Sequence, residues 1–337
     1  MKQEMKRLLM IILPLWQLAV SCAPEPCSKC AEEFGLNHVS LSLQGSCIET
    51  RALDVPSLSE SNVMRCDLFV FDSGGALVER VLSTDGRFDF YLTDGVYDFV
   101  AVANKGDLPA KDVSRDDLMS TIVTLGENAP GSFVMAGSLD SHEILSDEKT
   151  TIEVERLVAK VSCTVRTAFK GYLADESLRI DAVYLTNVKA LARIGEPHSD
   201  GVPDSLWYNR MAYEPSVADY PRGLLYENCG AAMPPRDSIV TGYSFYPFPN
   251  SAADDHDVSR WSPRCTRLVV EATLLGRKTY YPVTIGKVES NRHYMVDLTV
   301  SNFGTDHPEG FPDKYGDIAF SVKVEDWTDG GNLEGIY

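Results

Sequence analysis

The feature that most constrains the fold of this 337-residue chain is a period-two alternation of apolar and polar residues in short stretches. In HVSLSLQG (38–45), for example, Val39, Leu41 and Leu43 alternate with polar residues. Successive side chains of a strand point to opposite faces, so this pattern predicts a strand with one buried face. Helical periods are few, and the best short helix is predicted from Arg115 onward with Ser114 as its N-cap. The chain is therefore expected to be all-β with minor short helices.

Two stretches of the first half predict hairpins. Residues 64–82 place apolar runs on both sides of Asp72-Ser73-Gly74-Gly75, and residues 86–106 repeat the pattern around Thr93-Asp94-Gly95. Glycines supply the positive φ that tight turns require. With further strands predicted at 133–139 and 150–167, an N-terminal β-sandwich is expected at 37–155.

The same pattern restarts at Arg156. Strands are predicted within 156–167, 178–190, 238–248, 266–275, 279–286, 293–304 and 317–327. Short strands at such spacing predict a second β-sandwich at 156–337.

A stretch rich in Pro, Gly, Asp and Tyr, near 192–236, is expected to be a long insertion that covers an edge or makes contacts. Its aromatic residues either pack over the sandwich or form a platform for sugars or peptides. They are Trp207, Tyr208, Tyr213, Tyr220 and Tyr226.

The N-terminus has the layout of an export signal. Residues 1–21 carry a basic head, an apolar core and a small residue before Cys22. The apolar core is only about 13 residues long, shorter than the ~20 that a membrane-spanning helix needs. Residues 22–36, with two prolines and several charges, predict a flexible tether.

Leu18-Ala19-Val20-Ser21-Cys22 resembles the lipobox of bacterial lipoproteins, although Ala19 holds the place where that pattern puts Leu. The resemblance implies cleavage before Cys22 and attachment of lipid to its sulfur. Acyl chains would then hold the protein at a membrane without a spanning helix. The alternative is an ordinary cleavage site with an incidental cysteine.

Composition and motifs argue against several classes of function. A formal net charge of −18 repels nucleic-acid phosphates, so no nucleic-acid partner is expected. Cys27 and Cys30 form a CxxC without the second ligand pair of a zinc site, which leaves a small local disulfide or free thiols. Asp254-Asp255-His256-Asp257 is interpreted as a solvated loop, with a weak cation site as the alternative. No GxSxG, GxGxxG or P-loop occurs, and no enzyme activity, metal site or cofactor is expected.

Five stretches occur in the same order in a known family. They are DLFVFDSGGALVERVL, LTDGVYDFVAVANKGD, VERLVAKVSCTV, NRHYMVDLTV and VKVEDWTDG. Over essentially the whole mature chain, the sequence resembles the fimbrillin and FimB-like fimbrial anchor lipoproteins of Gram-negative gut and oral anaerobes. The resemblance implies two tandem transthyretin-like (Greek-key) β-sandwiches. It also implies a surface-exposed, non-enzymatic outer-membrane lipoprotein that joins other fimbrial subunits in a type V pilus.

In polymerising members of that family, a protease is thought to cut after an arginine beyond the first strand, so that a strand of another subunit fills the groove. Arg51 is the natural candidate here, and the alternative is a solvated loop residue. The short tail after Trp327 favours an anchor or accessory subunit, including a tip subunit, over a stalk subunit. The competing function is a surface adhesin that binds a glycan or host protein without polymerising.

Overall fold

A computed structural model describes residues 35–44, 60–109, 112–195, 207–208, 223–234, 238–252, 265–310 and 318–327. Strands β1 to β9 lie at Asn37–Gln44, Cys66–Asp72, Leu77–Ser83, Arg87–Leu92, Gly95–Ala103, Ile122–Thr124, Met135–Ile144, Glu148–Glu153 and Glu155–Arg156. Strands β10 to β20 lie at Lys160–Thr167, Leu178–Thr186, Val188–Lys189, Leu191–Arg193, Trp207–Tyr208, Tyr226–Met233, Ile239–Phe245, Thr266–Leu274, Arg277–Gly286, Arg292–Val300 and Ile318–Asp326. Helix α1 is Arg115–Met119, and 3-10 turns lie at Leu125–Glu127 and Gly171–Leu173.

The predicted all-β class is confirmed. Strands β4-β1-β8 form a three-stranded sheet that faces the five-stranded sheet β3-β2-β5-β7-β9. Alternate residues of β1 and β4 point between the two sheets, as their pattern requires. Within the described residues, no helix is long and apolar enough to cross a membrane.

Strand β2 of the five-stranded sheet is buried on both faces. Leu68 and Val70 of β2 face the three-stranded sheet, while Phe69 and Phe71 join a larger core that extends into the second half of the chain. The short strand β6 also pairs with β13 of the second half. A strand covered on both sides needs no polar face, which explains the continuous apolar run of Leu68–Phe71.

The second sandwich repeats the topology of the first. Its sheets are β16-β10-β19-β20 and β15-β11-β17-β18. In each sandwich the first strand lies between an antiparallel neighbour and a parallel one: β1 between β4 and β8, and β10 between β16 and β19. Strand β20 has no counterpart in the first sandwich. It pairs antiparallel with β19, whereas β8, which corresponds to β19, is the edge of its sheet.

The hairpin predicted at 64–82 is confirmed as β2 and β3. At its turn the Asp72 carboxylate accepts hydrogen bonds from the backbone N–H groups of Gly74 and Ala76, and Gly75 has a φ of +79°. The predicted helix is also confirmed, with the Ser114 side chain accepting from the Asp117 N–H.

The hairpin predicted at 86–106 is wrong. Strands β4 and β5 follow each other through a tight turn but belong to opposite sheets, where β4 pairs with β1 and β5 pairs with β2 and β7. The apolar faces of the two strands meet across the core, with the rings of Phe90 and Phe99 6.2 Å apart. At the connection a Cβ on Gly95 would lie 3.2 Å from the Tyr97 ring, so glycine provides space there.

The insertion predicted near 192–236 is wrong in part. Residues 226–233 form β15, which pairs with β11 as an edge strand of the second sandwich. Its sequence YENCGAAM has no period-two apolar face, and of its eight residues Met233 is the buried one. An edge strand with little burial leaves no such signal.

Candidate assembly site

The strand that precedes the predicted processing site is the centre of its sheet. Strand β1 pairs antiparallel with β4, from Asn37 opposite Leu92 to Ser42 opposite Arg87. On its other side it pairs parallel with β8, from Val39 opposite Glu148 to Gln44 opposite Glu153. Without β1, strands β4 and β8 would no longer be joined and their inner backbone groups would lose their partners.

The side chains of β1 complete the core of the N-terminal sandwich. Val39 and Leu41 are fully buried and Leu43 is 8% exposed. Burying such a side chain contributes about 1.5–3 kcal/mol, so the three together contribute roughly 5–9 kcal/mol. Whole domains have a free energy of unfolding of about 5–15 kcal/mol. Loss of β1 would therefore remove most of the stability of this sandwich unless another strand took its place.

Polar contacts fix the N-terminal end of β1. The Asn37 amide donates to the Asp94 carboxylate at 2.8 Å, and the His38 backbone N–H donates to the Asp147 carboxylate at 2.7 Å. At the other end, the Leu43 N–H donates to the Gly86 carbonyl at 2.9 Å. These contacts define the register of β1 with the turns that flank β4 and β8.

Strand β20 is held in a different way. It pairs over nine residues with β19 and forms the edge of its sheet. Phe320 and Val324 lie opposite the buried residues Leu298 and Tyr294, yet they are 42% and 51% exposed. Directly opposite residues share a face, so β20 presents apolar side chains on the core-facing side of the sheet that the facing sheet does not cover.

Trp327, the residue that follows β20, is 2% exposed and lies between the two halves of the chain. Its indole N–H donates to Glu60 Oε2 at 3.0 Å, and its ring lies 4.1 Å from the Arg156 guanidinium carbon. The rings of Phe133 and Tyr246 pack against it with centroids 5.5 and 5.8 Å away. Trp327 is therefore a core residue.

The Glu60 carboxylate accepts hydrogen bonds from three side chains in this cluster. Oε2 accepts from the Lys160 ammonium at 2.7 Å as well as from Trp327, and Oε1 accepts from the Tyr246 hydroxyl at 2.5 Å. Burial raises the pKa of Glu60, but the hydrogen bonds from Lys160, Tyr246 and Trp327 and the Lys160 charge outweigh it, so the pKa is held below its ordinary value of 4.5. Glu60 is therefore a carboxylate at neutral pH.

Several residues named from the sequence lie outside the described part of the chain. They are Cys22, Cys27, Cys30, Arg51, the run Asp254-Asp255-His256-Asp257, and the insertion aromatics Tyr213 and Tyr220. For Trp207 and Tyr208 the structure gives the backbone of β14, which pairs with β12. Tyr226 packs, with its ring stacked 5.7 Å from that of the buried Tyr184.

The described residues also limit the chemistry of the cysteines and of metal ions. Among them, no group of three His, Cys, Asp or Glu side chains is placed to hold a metal ion. Cys66 and Cys163 are buried free thiols. Burial raises the pKa of Cys66 above its ordinary value and that of Cys163 to about 12, so neither thiol is a nucleophile at neutral pH.

The tandem β-sandwiches of this chain agree with its comparisons to known proteins, which point to fimbrial subunits. The family model described as fimbrillin-A associated anchor proteins Mfa1 and Mfa2 matches residues 39–211, more than half of the chain. The chain belongs to this family of fimbrillin-A associated anchor proteins. No curated protein matches it.

Solved structures show the same fold at low sequence identity. A fimbrilin (FimA) from Porphyromonas gingivalis W83 has a TM-score of 0.63 and 16% identity, over 86% of this chain and 98% of that one. A putative cell adhesion protein from Bacteroides eggerthii has a TM-score of 0.60 and 17% identity, over 86% and 96%. The tip fimbrial protein Mfa3 from Porphyromonas gingivalis has a TM-score of 0.52 and 14% identity, over 87% and 100%. The fold of this chain is that of fimbrial subunits.

Proposed function

We propose that this protein is a non-enzymatic fimbrial lipoprotein, an anchor or accessory subunit that joins the fimbria to the outer membrane. Lipid on Cys22 holds it at the membrane, the tether at 22–36 lets the sandwiches stand away from the surface, and other fimbrial subunits bind it by β-strand exchange. Membership of the fimbrillin-A associated anchor family supports this role.

The observation that carries the proposal is the position of β1. It is a central strand with three buried apolar side chains, and the chain continues from it toward Arg51. The place that β1 fills between β4 and β8 is a groove. Such a groove suits an extended segment, because main-chain hydrogen bonds give affinity and alternate side-chain pockets give specificity. An anchor keeps β1 in this groove, whereas a subunit that has been cut after Arg51 offers the groove to a neighbour. On this proposal β20, at an open edge, is the segment that a neighbouring subunit contacts.

The start of the mature surface form tests the role. We expect N-terminal sequencing and mass spectrometry to find a chain that begins at acylated Cys22 and retains β1. A Cys22→Ser variant should lose both the acyl chains and membrane retention, while an Arg51→Ala variant should leave both unchanged. A mature form that begins at Ala52 would contradict the anchor role and favour a polymerising subunit.

Assembly is tested separately by co-expression with other fimbrial subunits. We expect complexes that resist SDS, as strand-exchanged complexes do when their main-chain ladders are complete. A persistent monomer that binds members of a glycan array would contradict assembly and favour the adhesin function instead.

A further inference from the structure

Strand β20 contributes little buried surface of its own. Phe320 and Val324 are about half exposed, and Val322 between them is partly buried. Apart from its hydrogen bonds with β19, strand β20 is held mainly by the next residue in the chain, Trp327, which is almost completely buried.

Trp327 is bound by residues from both halves of the chain. Its backbone N–H donates to the Asn291 carbonyl at 3.2 Å, and its carbonyl accepts from Arg156 Nη1 at 3.2 Å. Its indole N–H donates to Glu60, which stands 267 residues earlier in the chain. The Glu60 backbone carbonyl in turn accepts from Arg156 Nε at 3.1 Å, so Glu60 holds both the tryptophan and the arginine stacked on it.

The three side-chain donors around Glu60, one of them the charged Lys160, suit a carboxylate acceptor. Lys160 brings a full positive charge, and its ammonium lies 5.8 Å from the centre of the Trp327 ring. Hydrogen bonds to a charged acceptor are roughly twice as strong as neutral ones. A neutral amide at position 60 would leave the charge of Lys160 without its partner beside a second cation, Arg156.

We propose that Glu60 is a latch that keeps the C-terminal strand β20 on its own subunit by holding Trp327. Glu60 follows Arg51 by nine residues, on the segment that leads from the end of β1 into β2. When two sites are energetically coupled, each affects the other to the same extent. Displacement of this segment therefore loosens β20, and release of β20 loosens the segment. The significance for fimbrial assembly rests on the proposed function, whereas the latch itself rests on the contacts above.

Hydrogen–deuterium exchange on the purified full chain tests the latch without any partner. We expect Glu60→Gln to speed amide exchange in peptides of residues 318–327 by about tenfold, as local opening requires. Exchange in β11 and β17 should stay as in the unchanged protein. The matched control is Glu143→Gln in β7, an exposed glutamate, which should leave exchange in β20 unchanged.

A double-mutant cycle separates the latch from general destabilisation. Trp327→Phe keeps an aromatic ring but removes the indole donor, and it should speed exchange in β20 and, reciprocally, in residues 60–65. Amide exchange in β20 should be no faster in the double variant than in the faster single variant, since both substitutions act on the same contact between Glu60 and Trp327. Unchanged β20 exchange in Glu60→Gln, equal acceleration in all strands, or fully additive effects would each overturn the latch. Failure to form subunit complexes would overturn the proposed function and leave the latch standing.

Discussion

Leu41→Ala measures how much of the N-terminal sandwich depends on its first strand. Leu41 is 1% exposed and lies in the middle of β1, opposite Phe88 on one side and Thr150 on the other. Truncation of a buried leucine costs about 2–5 kcal/mol, and the cost is higher where the surroundings cannot relax into the cavity. Because both neighbouring strands fix β1, we expect a loss of about 3 kcal/mol.

The assay is urea denaturation followed by far-UV circular dichroism, together with hydrogen exchange in peptides of β4 and β8. The core around β1 is separate from the larger core around β10, which also takes in Phe69 and Phe71 of β2, so the loss should fall on the transition that unfolds β4 and β8. Ser40→Ala, one residue earlier on the opposite face of β1, is the control and should change stability by less than about 0.5 kcal/mol. A loss below about 1 kcal/mol for Leu41→Ala, or equal losses for the two variants, would refute the reasoning that β1 carries most of this core.

Further expectations concern charge and packing. Because the pKa of Glu60 is lowered in the folded protein, the stability that its carboxylate contributes is complete above pH 4.5 and is lost as the pH falls below that value. The melting temperatures of the natural protein and of Glu60→Gln should therefore converge between pH 7 and pH 3. Gly137→Ala should cost about 1–3 kcal/mol in a urea titration, because a Cβ there would clash with the backbone carbonyl of Glu153 in β8, whereas Gly126→Ala, with nothing within 4 Å, should not. Asp67→Ala should cost about 3–5 kcal/mol by the same titration, because it leaves the largely buried Arg80 without the carboxylate that it contacts at 2.6 Å; a loss below about 1 kcal/mol would contradict a structural role for this pair.

The sequence predicts strands well where one face is buried and turns well where a side chain closes them. Strand β1 and the β2–β3 hairpin follow from alternation and from the Asp72 turn. The β4–β5 connection carries similar turn residues, but its two strands belong to different sheets. Short-range signals determine where the chain turns, while the choice of partner depends on which faces meet across the core.

The contact between Glu60 and Trp327 shows which part of the site could not be predicted from the sequence. Trp327 is predictable as a core residue, but its contact with Glu60 joins positions 267 residues apart. Glu60 itself is one acidic residue in a chain that carries 49 of them, and nothing around it marks its partner. Strand β15 is missed for the opposite reason, since an edge strand with one buried side chain has no pattern to detect.

The parallel pairing of β1 with β8 also has a consequence for the order in which the chain folds. His38 and Asp147, which contact each other at the start of this pair, are 109 residues apart. As the chain emerges from the ribosome or crosses a membrane, β1 emerges first, and its sheet is complete only after β8 has followed. Folds dominated by such distant pairings acquire their structure in milliseconds to seconds, far more slowly than helical bundles. During that interval the edge of β1 that β8 will cover stays open to any extended segment that reaches it first.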